Sequence, residues 1–339
     1  MTHEFKRIIE SCLNNQEENI KSVLATVVAL DGSSYRKPGV RMLIAENDKM
    51  TGAVSGGCVE KEVLNQAQEV FKKDTAKVMT YDGRYRLGCE GILYILLEPF
   101  SVSEELEALV KKAFRERQSF FIESAFRKEE SQAAGMGSAI RFGGGKQMGF
   151  SEKISAERTD EFSVFRQEIK PLFRMLIIGA EHDAVQLCSA ASLLGWEVLV
   201  NASPKDPRTK ANFPGAQEVL HLMPEEIQQL EIDSETAVML MNHSYATDLK
   251  FLLALKNCSV VYIGLLGAAK RREKIFNAFI EYHPETDADF LDKIYGPAGL
   301  DIAAETPQEI AISVIAEILA VVRKKPTISL REKMGKIHT

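Results

Sequence analysis

The second half of the chain alternates short apolar segments with segments of helical pattern, and this alternation constrains the fold more than any other feature. The strand-like RMLIIG at 174–179 is followed by a helical stretch over 182–194 and then by the strand-like WEVLVN at 196–201. TAVMLMN and SVVYIGLLG are two further buried-looking strands, and helical pattern follows each of them. A helix between two strands is long enough to cross over the sheet, so that successive strands run parallel. The sequence therefore predicts a Rossmann-like domain over 172–325, built on a doubly wound parallel sheet.

The end of this domain carries the clearest helix signals in the chain. In ETPQEIAISVIAEILAVV, Thr306 can cap the helix, Pro307 suits its first position, and Glu309 can complete a capping box. Apolar residues four apart form the stripe that we expect to face the core: Ile310, Val314, Ile318 and Val322. We expect residues 326–339 to form a loosely held tail.

The first part of the chain predicts a separate α/β domain over 1–127. Phe5, Ile8, Ile9 and Cys12 recur at helical spacing, which predicts an opening amphipathic helix. Composition and periodicity then predict strands at 22–30, 40–45, 50–54, 76–81 and 91–99, and helices at about 59–72 and about 102–117, the second of which is followed by the apolar segment FFIESAF. Residues 128–161 are polar and glycine-rich, with a hairpin around 138–150. We interpret residues 128–171 as a variable region and linker.

Composition and charge exclude several classes of protein. The net charge of −6, from 42 Lys and Arg against 48 Asp and Glu, argues against a general nucleic-acid-binding protein. The charged start MTHEFKRIIESCLNNQEENIK is not a signal peptide, and no apolar run approaches the roughly 18 residues of a membrane-spanning helix. Five cysteines without a CxxC pair are typical of reduced thiols. We therefore expect a soluble cytoplasmic protein.

The GGGK segment at 143–146 does not form a phosphate-binding P-loop. That motif needs a glycine at the position of Ile140, five residues before Gly145. It also needs Ser or Thr at the position of Gln147, to bind the metal. A nucleoside triphosphate site is therefore not predicted here.

The dinucleotide fingerprint of the Rossmann-like half is damaged. A G-x-G-x-x-G turn should follow the first strand, with an acidic residue at the end of the second strand. Gly179 and Ala184 suit the first and third positions, but Glu181 stands where the chain must approach a pyrophosphate. Asn201 stands where the ribose-binding acid is expected. The sequence therefore argues against NAD(P) binding.

A ligand crevice is nevertheless expected at the carboxyl ends of the parallel strands, because the topology of the sheet creates it. Candidate lining residues lie after the predicted strands: His182, Asp183, Asn242, His243, Gly264, Gly267 and the GPAGLD loop at 296–301. Lys270, Arg271 and Arg272 begin a helix after two glycines, which favours an anion site. The alternatives are a solvated helix face for these cations and a structural role for His243.

Two cysteines lie in glycine-containing loops. In SGGCVE, Cys58 follows Gly56 and Gly57 at the start of a predicted helix, where unpaired N–H groups stabilise a thiolate. Cys89, in RLGCEG, lies in a similar loop. By spacing alone, inert packing is the alternative for both thiols. Three other cysteines lie in apolar patterns and are expected to be small core residues: Cys12, Cys188 and Cys258. No structural metal site is predicted.

Several of these motifs occur together in one known family. GSSYRKPGVRMLI, GAVSGGCVE and LGCEG resemble the N-terminal domain of the xanthine dehydrogenase accessory factor (XdhC/CoxI) family. LIIGAEHDA, YIGLLGAAKRREKI and GPAGLDIAAETPQEIAISVIAEILA resemble its C-terminal Rossmann-like domain. The chain departs from the family at Glu181, where members often have the glycine of GAGH, and at Asn201, where they often have an acid.

The resemblance implies a maturation factor for molybdenum enzymes. Such a protein binds the molybdenum cofactor (molybdopterin), helps it acquire its terminal sulfur with a cysteine desulfurase, and inserts it into an apo xanthine dehydrogenase-like molybdoenzyme. It acts as a cofactor-binding chaperone more than as a catalyst, and we expect a homodimer. The alternative is a Rossmann-type NAD(P)-dependent oxidoreductase or a nucleotide-sensing protein.

The resulting candidate site has two groups of residues. The candidate catalytic thiols are Cys58 and Cys89. The candidate cofactor-binding residues are Gly56, Gly57, Arg36, Arg41, Gly179, His182, Asp183, His243, Gly264, Gly267, Arg271, Arg272, Gly296 and Asp301.

Overall fold

The structure is a computed structural model, and it describes residues 1–32, 37–55, 57, 59–83, 91–133, 135–151 and 161–333. These residues form two compact units, Met1–Pro171 and Leu172–Lys333. Among the helices that the structure describes, none is long and apolar enough to span a membrane.

Unit 1 contains three α-helices and ten strands in the part of it that the structure describes. The helices are α1 (Thr2–Glu17), α2 (Glu60–Lys73) and α3 (Glu104–Arg115). The strands are β1 (Ser22–Asp31), β2 (Arg41–Ala45), β3 (Met50–Gly52), β4 (Lys77–Asp82), β5 (Ile92–Pro99), β6 (Phe120–Phe126), β7 (Ser131–Gln132), β8 (Gly137–Arg141), β9 (Gln147–Gly149) and β10 (Ser163–Ile169).

The strands of unit 1 form two antiparallel sheets. Six strands lie in the order β3-β2-β1-β5-β4-β7, and four lie in the order β10-β6-β8-β9. The central strand β1 is buried on both faces, which explains its continuous apolar sequence. Val23, Ala25 and Val27 pack with residues of α2, whereas Leu24 packs with residues of α1, α3 and the second sheet.

The described parts of 128–171 differ from the predicted variable region and linker. The hairpin is confirmed as β8 and β9, but β10 also pairs with β6 along seven residues, from Ser163 opposite Phe126 to Ile169 opposite Phe120. Ile140 and Phe150 are fully buried in the same core. Glycines and polar residues between these apolar positions hide the strand pattern in the sequence.

Unit 2 contains five α-helices and six strands among its described residues. The helices are α4 (His182–Leu193), α5 (Tyr245–Ala254), α6 (Ala269–Tyr282), α7 (Ala288–Leu291) and α8 (Pro307–Arg323). The strands are β11 (Arg174–Ile178), β12 (Glu197–Asn201), β13 (Glu218–Leu220), β14 (Thr236–Leu240), β15 (Tyr262–Leu265) and β16 (Ile294–Tyr295).

The six strands of unit 2 are parallel and lie in the order β13-β12-β11-β14-β15-β16. Numbered within the unit, this is the 3-2-1-4-5-6 order of a Rossmann fold. Alternate residues of β11 point to opposite faces of the sheet. Met175 and Ile177 pack with residues of α4 and α8, and Leu176 and Ile178 pack with residues of α5 and α6. The predicted doubly wound sheet is therefore confirmed.

The predicted start of α8 is also confirmed. The Glu309 N–H donates to Thr306 Oγ1 over 3.3 Å, and the Thr306 N–H donates to Glu309 Oε2 over 2.8 Å. This reciprocal pair is a capping box, with Pro307 in the first turn. Val314 and Ile318 are buried, as the stripe predicts.

Candidate functional site

The candidate site of unit 2 is a crevice at the topological switch point, beyond the carboxyl ends of β11 and β14. Its volume is about 150 Å³. Its lining residues are Glu181, Asp183, Ala184, Met241, Asn242, His243, Leu266, Gly267 and Arg271. Four predicted cofactor-binding residues are thus brought together: Asp183, His243, Gly267 and Arg271.

Gly179 follows β11 and lies against the segment that follows β14. Its φ is +128°, and an added Cβ would lie 2.8 Å from the carbonyl carbon and oxygen of Met241. Its N–H donates to the carbonyl of Asn201 over 3.0 Å. Any side chain here would collide with backbone, so the packing of the switch point alone requires this glycine.

The turn that would bind a pyrophosphate is covered by Arg208, which the sequence analysis missed. The Arg208 guanidinium donates to the carbonyl of Ala180 and lies 3.3 Å from Glu181 Oε1. It also pairs in a bidentate manner with Asp206, with N–O distances of 2.9 Å and 2.6 Å. Hydrogen bonds from Arg208 lower the pKa of Asp206. The only sequence signal was its place in the loop after the second strand, where Rossmann proteins recognise ribose or phosphate.

Asn201 has a structural role. Its Oδ1 accepts from the Leu222 N–H over 2.8 Å, and its Nδ2 donates to the Leu222 carbonyl over 3.1 Å. The side chain is buried, with 2% of the residue exposed. Both ends of the amide are therefore used within the protein, and the ribose position offers no free group from this residue.

Arg271 is held in a buried network. Its Nη2 lies 2.7 Å from Asp248 Oδ2 and 2.7 Å from the carbonyl of Asn242, and its Nη1 lies 3.1 Å from the carbonyl of His243. Burial raises the pKa of Asp248, although hydrogen bonds from Arg271 and Asn242 oppose that shift. Arg271 thus orders the segment after β14. A lone acid within the apolar DLKFLLAL was the available signal for Asp248.

The other predicted residues of unit 2 lie outside the described lining of the crevice. Gly264, within β15, leaves room for the Met239 side chain. The Arg272 guanidinium lies 5.1 Å from the centre of the Phe276 ring, and an added Cβ at Gly296 would lie 2.9 Å from Arg272 Cγ. His182 and Asp301 are exposed.

A second cavity lies along α6. This α6 groove has a volume of about 700 Å³. Its lining residues are Tyr245, Lys270, Arg271, Lys274, Asn277, Ala278 and Glu281. Arg271 lines both cavities. Within the described residues, the side chains of Lys270 and Lys274 have no ion-pair or hydrogen-bond partner, so both ammonium groups are open to a ligand; the Lys274 carbonyl accepts from the Tyr245 hydroxyl over 3.1 Å. Lys274 has no distinguishing signal in the sequence, because it is one lysine in the run AKRREKIF.

The glycine loop of unit 1 is described only in part. Gly56, Cys58, Cys89 and Arg36 lie outside the described residues. Gly57 has a φ of +119°, and no described atom lies within 4 Å of an added Cβ. The backbone conformation therefore requires this glycine, whereas close packing does not.

Glu60 binds the backbone of this loop. Its carboxylate accepts from the Ser55 N–H and hydroxyl over 2.7 Å each, and from the Gly57 N–H over 2.8 Å. Burial opposes ionisation of Glu60, but these hydrogen bonds outweigh it and lower its pKa. The N–H of Gly57, a candidate cofactor-binding residue, is therefore used within the loop. The glutamate of SGGCVE was the available signal.

Arg41 lies in the interior of unit 1, which differs from its predicted place in a ligand site. Only 6% of the residue is exposed, and its guanidinium donates to the Gly39 carbonyl and to Gln167. Burial lowers the pKa of Arg41 to about 10. Glu98 is buried in the same interior, where it accepts from the Ser138 N–H over 2.6 Å. Burial raises the pKa of Glu98 to about 7.

Three cysteines lie in the core or against it, as predicted. Cys12 and Cys188 are fully buried, and Cys258 packs against the core of unit 2. Burial raises the pKa of the Cys12 thiol to about 12 and that of Cys188 to about 11. These thiols are therefore protonated and unreactive near neutral pH.

The sequence matches two family models. Residues 175–318, from β11 into α8, match the XdhC Rossmann domain, and residues 16–82, from the end of α1 through β4, match the XdhC and CoxI family. The chain belongs to the XdhC and CoxI family. The two matches lie in different units, so both units of this XdhC/CoxI-family protein carry family sequence.

Whole-length relatives agree with this assignment. The chain is 29% identical to a Bacillus subtilis protein described as a probable subunit of xanthine dehydrogenase, over 93% of this chain and 96% of that protein. It is 22% identical to the molybdenum cofactor insertion chaperone PaoD of Escherichia coli, over 95% of this chain and 90% of that protein. A crystal structure described as a xanthine dehydrogenase from Bacillus halodurans has a TM-score of 0.75 and 26% identity, over 95% of this chain and 97% of that chain.

Proposed function

We propose that this XdhC/CoxI-family protein binds the molybdenum cofactor and inserts it into a xanthine dehydrogenase-like apoenzyme. One observation carries the proposal: the chain aligns over 95% of its length with the molybdenum cofactor insertion chaperone PaoD. The cofactor is the cargo of such a protein. A binding and release function needs a ligand site and does not need a reaction centre.

The geometry of unit 2 supports binding of a ligand other than a dinucleotide. The Rossmann strand order supplies a switch-point crevice. Arg208 and Glu181 occupy the turn that would bind a pyrophosphate, and Asn201 is committed to Leu222. We therefore propose that NAD(P) is not the ligand of this crevice. Calorimetry with NAD, NADP and their reduced forms tests this point; a low-micromolar dissociation constant would support the oxidoreductase or nucleotide-sensing alternative.

The finer proposal concerns the thiols of unit 1. Cys58 and Cys89 would contact the molybdenum centre or carry sulfur to it, with a cysteine desulfurase as the sulfur donor. Glycine loops make backbone approach easy, and a helix start favours a thiolate. Cys12 cannot do the same, because it is buried and its pKa is raised to about 12. We further propose that the protein acts in the cytoplasm as a homodimer.

Two experiments test this function. Protein purified from cells that make the molybdenum cofactor should carry a bound pterin, detected by mass and absorption spectra. Cys58→Ala should fold normally but fail to activate an apo molybdoenzyme, and Cys58 should be alkylated fast near pH 7. Cys12→Ala is the matched control, and it should lose stability while retaining function. Normal activation by Cys58→Ala would remove Cys58 from the proposal.

A further inference from the structure

Two cavities with different charged side chains share a wall in unit 2. The switch-point crevice, of about 150 Å³, is lined by Glu181 and Asp183. The α6 groove, of about 700 Å³, is lined by two lysines, Lys270 and Lys274, and by one carboxylate, Glu281, so cations outnumber anions there even without Arg271. Arg271 forms part of both walls. A ligand lying across Arg271 would therefore meet hydrogen-bond acceptors at one end and cations at the other.

The cationic end is provided by the two lysines and not by Arg271. The Arg271 Nη1 and Nη2 groups already donate to Asp248 and to the carbonyls of Asn242 and His243. Lys270 and Lys274 are four residues apart on α6, which puts them on one side of the helix, and both are exposed. Lysine binds phosphate as a compact charge. The groove is therefore suited to a phosphate group.

The acidic end has one free carboxylate. Glu181 pairs with Arg208, whereas Asp183 has no ion-pair or hydrogen-bond partner among the residues that the structure describes. A carboxylate accepts hydrogen bonds from adjacent N–H groups, such as those on the aminopyrimidinone edge of a pterin. Ala184, Met241 and Leu266 add apolar surface to the crevice, which suits a flat ring.

We propose that unit 2 binds a phosphorylated pterin across Arg271, with the pterin edge at Asp183 in the crevice and the phosphate at Lys270 and Lys274 in the α6 groove. This inference rests on the proposed function. It deepens that function by giving the two ends of the ligand separate sites in one unit.

Calorimetry on the full chain with two probes tests both ends. The probes are a synthetic pterin that carries one phosphomonoester and the same pterin without it. Lys270→Ala/Lys274→Ala should weaken binding of the phosphorylated probe by about 2- to 30-fold, since two exposed charge contacts are lost. Binding of the unphosphorylated probe should not change. Asp183→Asn should weaken both probes, and Lys270→Arg/Lys274→Arg should retain the preference for the phosphorylated probe.

A matched control separates a site from general electrostatics. Lys210→Ala/Lys250→Ala removes the same charge from exposed lysines outside both cavities and should leave both affinities unchanged. The inference is wrong if the Lys270/Lys274 variant keeps full affinity or if the control loses as much. If the molybdenum cofactor copurifies with the protein but the Lys270/Lys274 substitutions do not change probe affinity, the proposed function stands and this site is wrong. If neither probe binds the unmodified chain and no cofactor copurifies, both fail.

Discussion

Replacing Arg271 with Ala should destabilise unit 2 strongly, because the change leaves a buried carboxylate without its counterion. Asp248 has 1% of its side chain exposed, and Arg271 Nη2 lies 2.7 Å from its Oδ2. Removing one partner of a buried ion pair costs about 3–5 kcal/mol. For a unit of this size, 1 kcal/mol shifts the melting temperature by about 2–4 °C, so we expect a loss of about 6–20 °C.

Two neighbouring residues provide the controls. Arg272 lies against the Phe276 ring and has no ion pair among the described residues, so Arg272→Ala should cost less than Arg271→Ala. Lys270 is exposed and has no partner within the described part of the chain, and Lys270→Ala should change stability by no more than about 0.5 kcal/mol. Thermal unfolding by circular dichroism and urea titration measure all three variants.

The cause of the loss can be isolated in a double-mutant cycle. Asp248→Asn removes the buried charge, so combining it with Arg271→Ala should recover part of the stability that Arg271→Ala loses alone. Burial already raises the pKa of Asp248, and in Arg271→Ala this carboxylate also loses its counterion. The difference in free energy of unfolding between Arg271→Ala and the unmodified protein should therefore shrink as pH falls. The reasoning would be refuted if Arg271→Ala lowered the free energy of unfolding by less than about 1 kcal/mol and the double-mutant cycle showed no coupling energy with Asp248→Asn.

Three further predictions follow from buried or bonded polar groups. Glu60→Gln should lower the free energy of unfolding by about 1–3 kcal/mol at pH 7 and speed amide exchange in 55–59, whereas Glu62→Gln should do neither. Because the pKa of Glu60 is lowered in the folded protein, the stability that Glu60 contributes should be lost as pH falls through that pKa. Glu98, with its pKa raised to about 7, should make urea stability fall by about 3 kcal/mol between pH 4.5 and pH 7, and Glu98→Gln should abolish this slope. Asn201→Asp should lower the melting temperature, because it loses its donor to the Leu222 carbonyl, and calorimetry should show no gain in NAD affinity.

The fold of unit 2 could be predicted because its elements carry local signals. Strands buried on both faces are continuously apolar, and the end of the domain has a cap at Thr306 with Glu309.

The strands that the sequence did not predict, in both units, are short or lie at the edge of a sheet. β13 and β16 have three and two residues, and β10 exposes alternate polar side chains, with Gln167 and Ile169 buried. Such segments are fixed by the strand beside them and not by their own periodicity.

The site could be predicted only at the level of position. Strand ends locate Asp183, His243 and Arg271 near the crevice, because the topology of a parallel sheet gathers them. Their roles depend on partners far away in sequence. The sequence around Arg271 indicates a phosphate ligand, whereas in the structure its guanidinium pairs with Asp248, 23 residues earlier. Arg208 lies 28 residues from the Ala180 carbonyl that it covers. No local pattern reports such pairs.

The proposal that this Rossmann sheet binds a ligand other than a dinucleotide rests on the position of charge around the switch point. In a dinucleotide site, the first helix offers bare N–H groups and a positive dipole end to the pyrophosphate. Here α4 begins with Glu181 before it and Asp183 in its first turn, and Arg208 covers the adjoining carbonyl. An anion is therefore repelled at this helix. Lys270 and Lys274 carry their charge on α6 instead. We therefore propose a ligand with a hydrogen-bond-donating edge at one end and an anionic group at the other, and not NAD.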